Sequence, residues 1–203
     1  DKEIILYFLG YFFFFCGFNI LRGDLTYYLS AVMQKDIKFL TVISVILFGM
    51  AGIFFPITNK FGKKYSYKKV LIADMLLLIA GTFGLLFINK NTSTFAYVFF
   101  IICGTGLSGA AFIFPQAMLS EISAKLSETK KVSLEGFMFG IQGMFLKLAF
   151  LVQQVVQSTL LVVGNNNTEG VKGATEFGVK VTLVVALILF AASLFFYNLK
   201  KED

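Results

Sequence analysis

The sequence predicts an all-α membrane protein of six membrane-crossing helices, and three observations predict it. Of its 203 residues, 57% are A, V, I, L, M, F, W, Y or C and only 15% are charged, with a mean hydropathy of +0.79. A water-soluble domain runs nearer half apolar and a quarter charged, so this excess calls for a solvent that accepts it, a lipid bilayer. The apolar residues fall into six stretches of about 20 or more, the length that crosses a hydrocarbon core of about 30 Å. The segments between them alternate in lysine content.

The first stretch, 4–33, lacks the basic lead and small-residue cleavage site of a signal peptide. It passes through Asn19, Arg22, Gly23, Asp24, Tyr27 and Tyr28, and its length predicts a break or kink near Gly23. Arg22 and Asp24 read either as an interfacial anchor pair or as part of a site. Tyr27 and Tyr28 suit stacking on a sugar ring, and equally suit the aromatic belt of an interface.

The second stretch, 39–58, precedes a lysine-rich connection. The third, 70–88, carries almost nothing polar and is expected at the periphery, with Asp74 at its start paired to a neighbouring lysine. The fourth, 95–119, holds Gly104, Gly106, Ser108, Gly109, Ala110 and Ala111, a small-residue patch spaced for tight helix packing. Pro115 then removes a backbone hydrogen bond and kinks the helix where Phe112 and Gln116 project.

The fifth stretch, 134–163, carries Gln142, Lys147, Gln153, Gln154 and Gln157. A lysine at the centre of a membrane helix costs about 2.5 to 3.5 kcal/mol, so Lys147 is expected to face a partner or a water-filled cavity. Gly136, Gly140, Gly143 and Lys147 share one stripe with Gln154 two turns on. That ridge is either a close helix contact, with Lys147 snorkelling or paired, or the floor of a ligand site. Gln142 either contacts a ligand or holds a neighbouring helix. The sixth stretch, 177–199, is again nearly all apolar and expected at the periphery. Stretches one, four and five are expected to face an interior or cavity.

Lysine placement sets the orientation. Lys2, Lys60, Lys63, Lys64, Lys68, Lys69, Lys125, Lys130, Lys131, Lys200 and Lys201 would lie on one side, against Lys35, Lys38, Lys90, Lys172 and Lys180 on the other. Both termini are therefore expected in the cytoplasm, in a multi-pass protein of the plasma (inner) membrane. The net charge of +6 is then a topology signal directed at lipid headgroups, without the aromatic-interleaved basic face of a nucleic-acid module.

Composition excludes several chemistries. The sequence has no His and no Trp, so it holds no His-based triad or imidazole shuttle. Cys16 and Cys103 stand in apolar runs without metal-ligand spacing and read as buried thiols. No acid, base and nucleophile converge at one depth, which argues against an enzyme, and neither metal nor resident cofactor is expected.

Residues 112–148, FIFPQAMLSEISAKLSETKKVSLEGFMFGIQGMFLKL, resemble the corresponding stretch of the glycoside-pentoside-hexuronide:cation symporters, the melibiose permease group of the major facilitator superfamily. Pro115, Glu121 where the family usually has Asp, the Glu135-Gly136 pair and Lys147 carry the resemblance. Residues 59–64, Asn-Lys-Phe-Gly-Lys-Lys, resemble the superfamily's D-R-x-G-R-K loop motif, with Asn in place of Asp and Phe55 where a Gly is usual.

The resemblance implies the carboxy-terminal half of a twelve-helix transporter, built as two inverted three-helix repeats. The partner would be an amino-terminal six-helix half, covalent or separate, whose acidic residues hold the coupling cation, Na or H. It places solute contacts at Phe112, Gln142, Gly143, Leu146 and Lys147, to which Tyr27 is added. Phe112 stands where melibiose permease has Trp and Gly143 where it has Thr. The function expected is cation-coupled transport of a small polar, sugar-like solute. Two alternatives remain: a non-transporting docking protein with a transporter-derived fold, and a transporter of lysolipids or other amphiphiles.

Overall fold

The computed structural model describes residues 2–164 and 173–199. Asp1, Lys172 and the polar tail 200–203, Lys200 and Lys201 included, lie outside the described residues. The described residues form helices and no strands: α1 (Lys2–Tyr27), α2 (Phe39–Tyr65), α3 (Tyr67–Leu85), α4 (Ala96–Ala110), α5 (Phe114–Lys130), α6 (Glu135–Leu160) and α7 (Glu176–Leu199). Five stretches are long and apolar enough to cross a membrane: Lys2–Val32, Phe39–Tyr65, Lys90–Lys130, Glu135–Leu160 and Glu176–Leu199. The predicted third span corresponds to α3, in which any 18 consecutive residues include Lys68, Lys69 and Asp74, whereas each of those five holds a stretch of that length with at most two charges.

The basic segments gather at one end of the bundle. Lys68 at the start of α3 donates to the Asn198 carbonyl near the end of α7, 3.0 Å away. Near the start of α1, the Tyr7 hydroxyl donates to the Pro115 carbonyl at 2.7 Å. At the opposite end the Tyr28 hydroxyl donates to the Leu85 carbonyl at 2.8 Å. Each of these tyrosines is buried and spends its only O–H proton on a carbonyl at a helix end, Pro115 in the first turn of α5 and Leu85 at the last residue of α3.

Helix α1 and the α4–α5 unit are the central elements. Helix α1 packs chiefly on α7 and α6, and α4 chiefly on α3 and α2. Buried rings Tyr7, Phe14, Phe100, Phe114 and Phe190 fill the space between them. Both cysteines are buried free thiols, as expected. The α4 glycines work as the spacing predicted. A β-carbon on Gly104 would strike the Leu47 carbonyl of α2, and one on Gly106 the Asp74 carbonyl of α3, so only hydrogen allows these backbones to approach.

Four expectations change. Helix α1 runs unbroken past Gly23 to Tyr27, and the irregularity is a π turn over Tyr28–Val32. Gly23 instead gives room to α6: a β-carbon there would meet the Gln157 and Gln153 amides. The segment 59–69 is no loop, because α2 continues through Lys63 and Lys64 to Tyr65 and only Ser66, at φ 120°, separates it from α3. Lysine is a good helix former and reaches water on a long stem, so leaving the apolar zone does not end the helix.

Pro115 produces a break where a kink was expected: α4 ends at Ala110 and α5 begins at Phe114 with the proline in its first turn. A proline there lacks an N–H the helix would not have used. Asp74 is buried rather than paired with a lysine, its Oδ2 having no hydrogen-bond partner. A β-carbon on Gly109 would strike that oxygen as well as Phe114 and Thr58. Beside it Thr58 and Ser108 share a 2.7 Å hydrogen bond that ties α2 to α4.

The candidate solute-facing site

The polar residues of α1 and α6 divide into an inner and an outer set. Met138, Gln142, Ala149, Gln153 and Gln157 form the buried stripe of α6, facing α1. Gln142 Nε2 donates to the Tyr7 hydroxyl at 2.7 Å, and that hydroxyl donates onward to Pro115. One chain of two bonds thereby links α6, α1 and the α4–α5 break, which is what a helix-holding glutamine does.

A second chain lies near the other end. Asp24 is 1% exposed. Its Oδ1 accepts from Gln157 Nε2 at 2.8 Å and its Oδ2 from the Thr182 hydroxyl at 2.6 Å. Gln153 Nε2 donates to Gln157 Oε1 at 2.6 Å. The carboxylate is thus held between α1, α6 and α7 by neutral donors, and the Arg22–Asp24 pair is not formed. Residues 22 and 24 project about 200° apart on a helix, so one faces the bundle while the other leaves it. The sequence reading missed this cluster because its members stand 133 and 158 positions from Asp24. The signal available was three glutamines, 142, 153 and 157, on one face of α6.

The outer set is open. A β-carbon built on Gly136, Gly140 or Gly143 meets nothing within 4 Å, so no helix among the described residues packs on that ridge. Lys147 is exposed midway along α6, and Gln154 is exposed two turns on. Of the other expected contacts, Gly143 and Leu146 are half-buried beside this face, and Gln142 is buried behind it. Phe112 and Gln116 are exposed at the α4–α5 break. Tyr27 is exposed at the far end of α1, where its carbonyl accepts from the Ser30 hydroxyl at 3.2 Å.

Stretch five was expected to face an interior or a cavity; one stripe of α6 is buried and the rest is open, α6 and α2 being the most exposed of the five spans. Gly52 of α2 is as open as the α6 glycines. A shallow groove of about 620 Å³ runs along the start of α2, lined by Leu40, Thr41, Ser44, Val45, Phe48 and Gly49. Among the described residues no three His, Cys, Asp or Glu side chains converge as a metal site.

An apolar helical bundle with several membrane-length spans and a polar, glycine-floored outer face defines a multi-pass membrane protein. Over residues 1–201 the chain matches the family described as MFS/sugar transport protein. It belongs to that family, and is accordingly a major facilitator transport protein rather than an enzyme. No individual curated protein matches it.

Proposed function

We propose that this chain is the carboxy-terminal six-helix half of a cation-coupled transporter of the melibiose permease kind, moving a small polar, sugar-like solute by alternating access. The observation that carries the reading is the open face of α6, where a β-carbon on any of three glycines would meet nothing among the described residues and Lys147 is exposed. A lysine at mid-membrane depth needs a partner or a water-filled cavity. An amino-terminal six-helix half laid over α2 and α6 would supply both, with the solute between the halves against Lys147, Gly143, Leu146 and Phe112. Gln142 would act from behind by fixing α6 against Tyr7, and Tyr27 would stand at the outer mouth. The coupling cation, Na or H, would be held mainly by the other half.

The packing pattern supports two inverted three-helix repeats. Helix α1 has α7 and α6 as its main neighbours, the α4–α5 unit has α3 and α2, and α3 meets α7. Exchanging α1 with α4–α5, α2 with α6 and α3 with α7 leaves that list of neighbours unchanged, as an internal two-fold axis would. The lysine-rich ends, both termini included, are assigned to the cytoplasm and the protein to the plasma (inner) membrane.

Replacing Lys147 by Ala in the complete protein is expected to abolish uptake while leaving membrane insertion and thermal stability intact. Normal uptake by the Lys147→Ala protein would remove the central site.

A further inference from the structure

Asp24 is an acid to which the transport reading gives no task. It is 1% exposed within this chain, without any second half laid over it. A count of the hydrogens around it comes out one short. The Thr182 hydroxyl has a single hydrogen, yet two oxygens stand within its reach, Asp24 Oδ2 at 2.6 Å and the Val179 carbonyl at 2.8 Å. A carboxylate and a carbonyl can only accept. With Asp24 ionised, one of the two must face the Thr182 oxygen with no hydrogen between them.

The other side of the carboxyl has no hydrogen to add. Gln157 Nε2 carries two, one directed to Asp24 Oδ1 at 2.8 Å and one to the Ile20 carbonyl at 3.4 Å. The Gln157 Oε1 accepts from Gln153 Nε2 at 2.6 Å, which keeps the amide nitrogen turned to the carboxyl. Placing one proton on Oδ2 completes the count: Asp24 donates to Thr182, Thr182 donates to Val179, and Gln157 donates to Oδ1. A buried polar group without a partner is costly, and a buried charge more so.

Among the described residues, the charged and titratable groups of the neighbouring elements are engaged elsewhere or stand at a distance. On α1 the Arg22 guanidinium lies over the Phe150 ring of α6, 5.9 Å from its centroid. On α7 Glu176 and Lys180 pair with each other at 2.7 Å. Helix α6 brings the neutral Gln153 and Gln157 to this level, and Lys147 stands ten residues before Gln157, about 15 Å along the helix. After α1, the Tyr28 hydroxyl donates to the Leu85 carbonyl, Lys35 lies over the Phe39 ring, and Asp36 accepts from the Lys38 backbone N–H. Glu169 and Lys172 lie outside the described residues.

We propose that Asp24 is a proton-binding site inside this chain, protonated while α1, α6 and α7 are packed together around it. It is separate from the coupling cation assigned to the other half, and it does not depend on the transport reading. A neutral acid holds α1 to α7 through Thr182 without carrying a charge into the apolar zone, where charge is expensive. Gln157 lies in the last turn of α6 and Thr182 within two turns of the start of α7, so a proton has a short way to water. Its release leaves a buried carboxylate one donor short, which favours parting of the three helices and entry of water at that end.

Infrared spectra of the complete protein in lipid read the proton directly, because the carbonyl stretch of a carboxylic acid is distinct from the stretches of a carboxylate. The parent at neutral pH is expected to show an acid band that Asp24→Asn lacks. The asparagine amide repeats the neutral pattern, its carbonyl accepting from Gln157 and its NH2 donating to Thr182, so the variant should fold. Asp74, the other buried acid among the described residues, is present in both proteins and cancels in the difference. Raising the pH should convert the Asp24 band reversibly to carboxylate bands. Thr182→Val takes away the acceptor of the acid hydrogen and should shift the band, a readout that serves even where the asparagine protein fails to fold. Three outcomes overturn the proposal: carboxylate bands rather than an acid band missing from Asp24→Asn, no acid band moved by Thr182→Val, or a band that persists to the highest pH at which the protein stays folded.

Discussion

Two helices carry three closely spaced glycines each, and the structure uses them in opposite ways. On α4, Gly104, Gly106 and Gly109 lie against the backbone of α2 and the backbone and carboxylate of α3, where a β-carbon has no space. On α6, Gly136, Gly140 and Gly143 face nothing. Glycine offers the same bare backbone in both helices, so what differs is which other element the chain brings there. In α4 the glycines lie in the core, between α2 and α3; in α6 they lie on an open face.

That contrast is open to direct attack. The largest effect is expected from Gly106→Leu, which drives a side chain into the Asp74 and Leu78 backbone of α3. A cost beyond about 4 kcal/mol is expected for such overpacking, seen as loss of the monodisperse, membrane-extracted protein on size-exclusion chromatography. Gln157→Leu comes next, because it removes the donor to a buried Asp24 oxygen. A loss of about 1 to 3 kcal/mol should lower the detergent melting temperature, and a melt equal to the parent's would mean that water replaces the amide.

Thr58→Val breaks the hydroxyl pair with Ser108 and should cost about 1 kcal/mol, detectable in the same melt. The smallest effect is expected from Gly140→Ala. With open space around it, the added methyl raises helix propensity by about 0.5 to 1 kcal/mol and should leave stability equal or slightly higher. A marked loss of stability in this chain alone would show that something packs on that face after all, and the comparison of the two helices would fail. In the complete protein the same substitution should slow uptake, since the methyl occupies the proposed solute floor.

How far the sequence could be read depended on the distance over which each property acts. The spans were legible because crossing a bilayer is a local requirement on some 20 consecutive residues. The end of α2 was not, because charge signals the edge of the apolar zone while the helix continues through Lys63 and Lys64. The Pro115 irregularity was legible as a kink and appears as a break, since three residues of turn separate α4 from α5. The Asp24 cluster was illegible. A carboxylate two residues from an arginine reads as its partner, and only the packing of α1 against α6 and α7 turns one inward and leaves the other outside.

By itself, then, the sequence determined the solvent, the number and approximate limits of the apolar runs, the gathering of lysines in alternate connections, and the tight packing of α4. Each follows from composition or from spacing within one helix. The tertiary structure decided which polar residues tie the bundle together and which remain on its open face. Gln142, Gln153 and Gln157 went inward, while Lys147 and Arg22 stayed outside. The physical reason is that a buried polar group is stable only with a partner at hydrogen-bond distance. For Gln142 and Gln157 those partners come from another helix, more than a hundred residues away in the chain, and Gln153 is satisfied through Gln157 on its own helix.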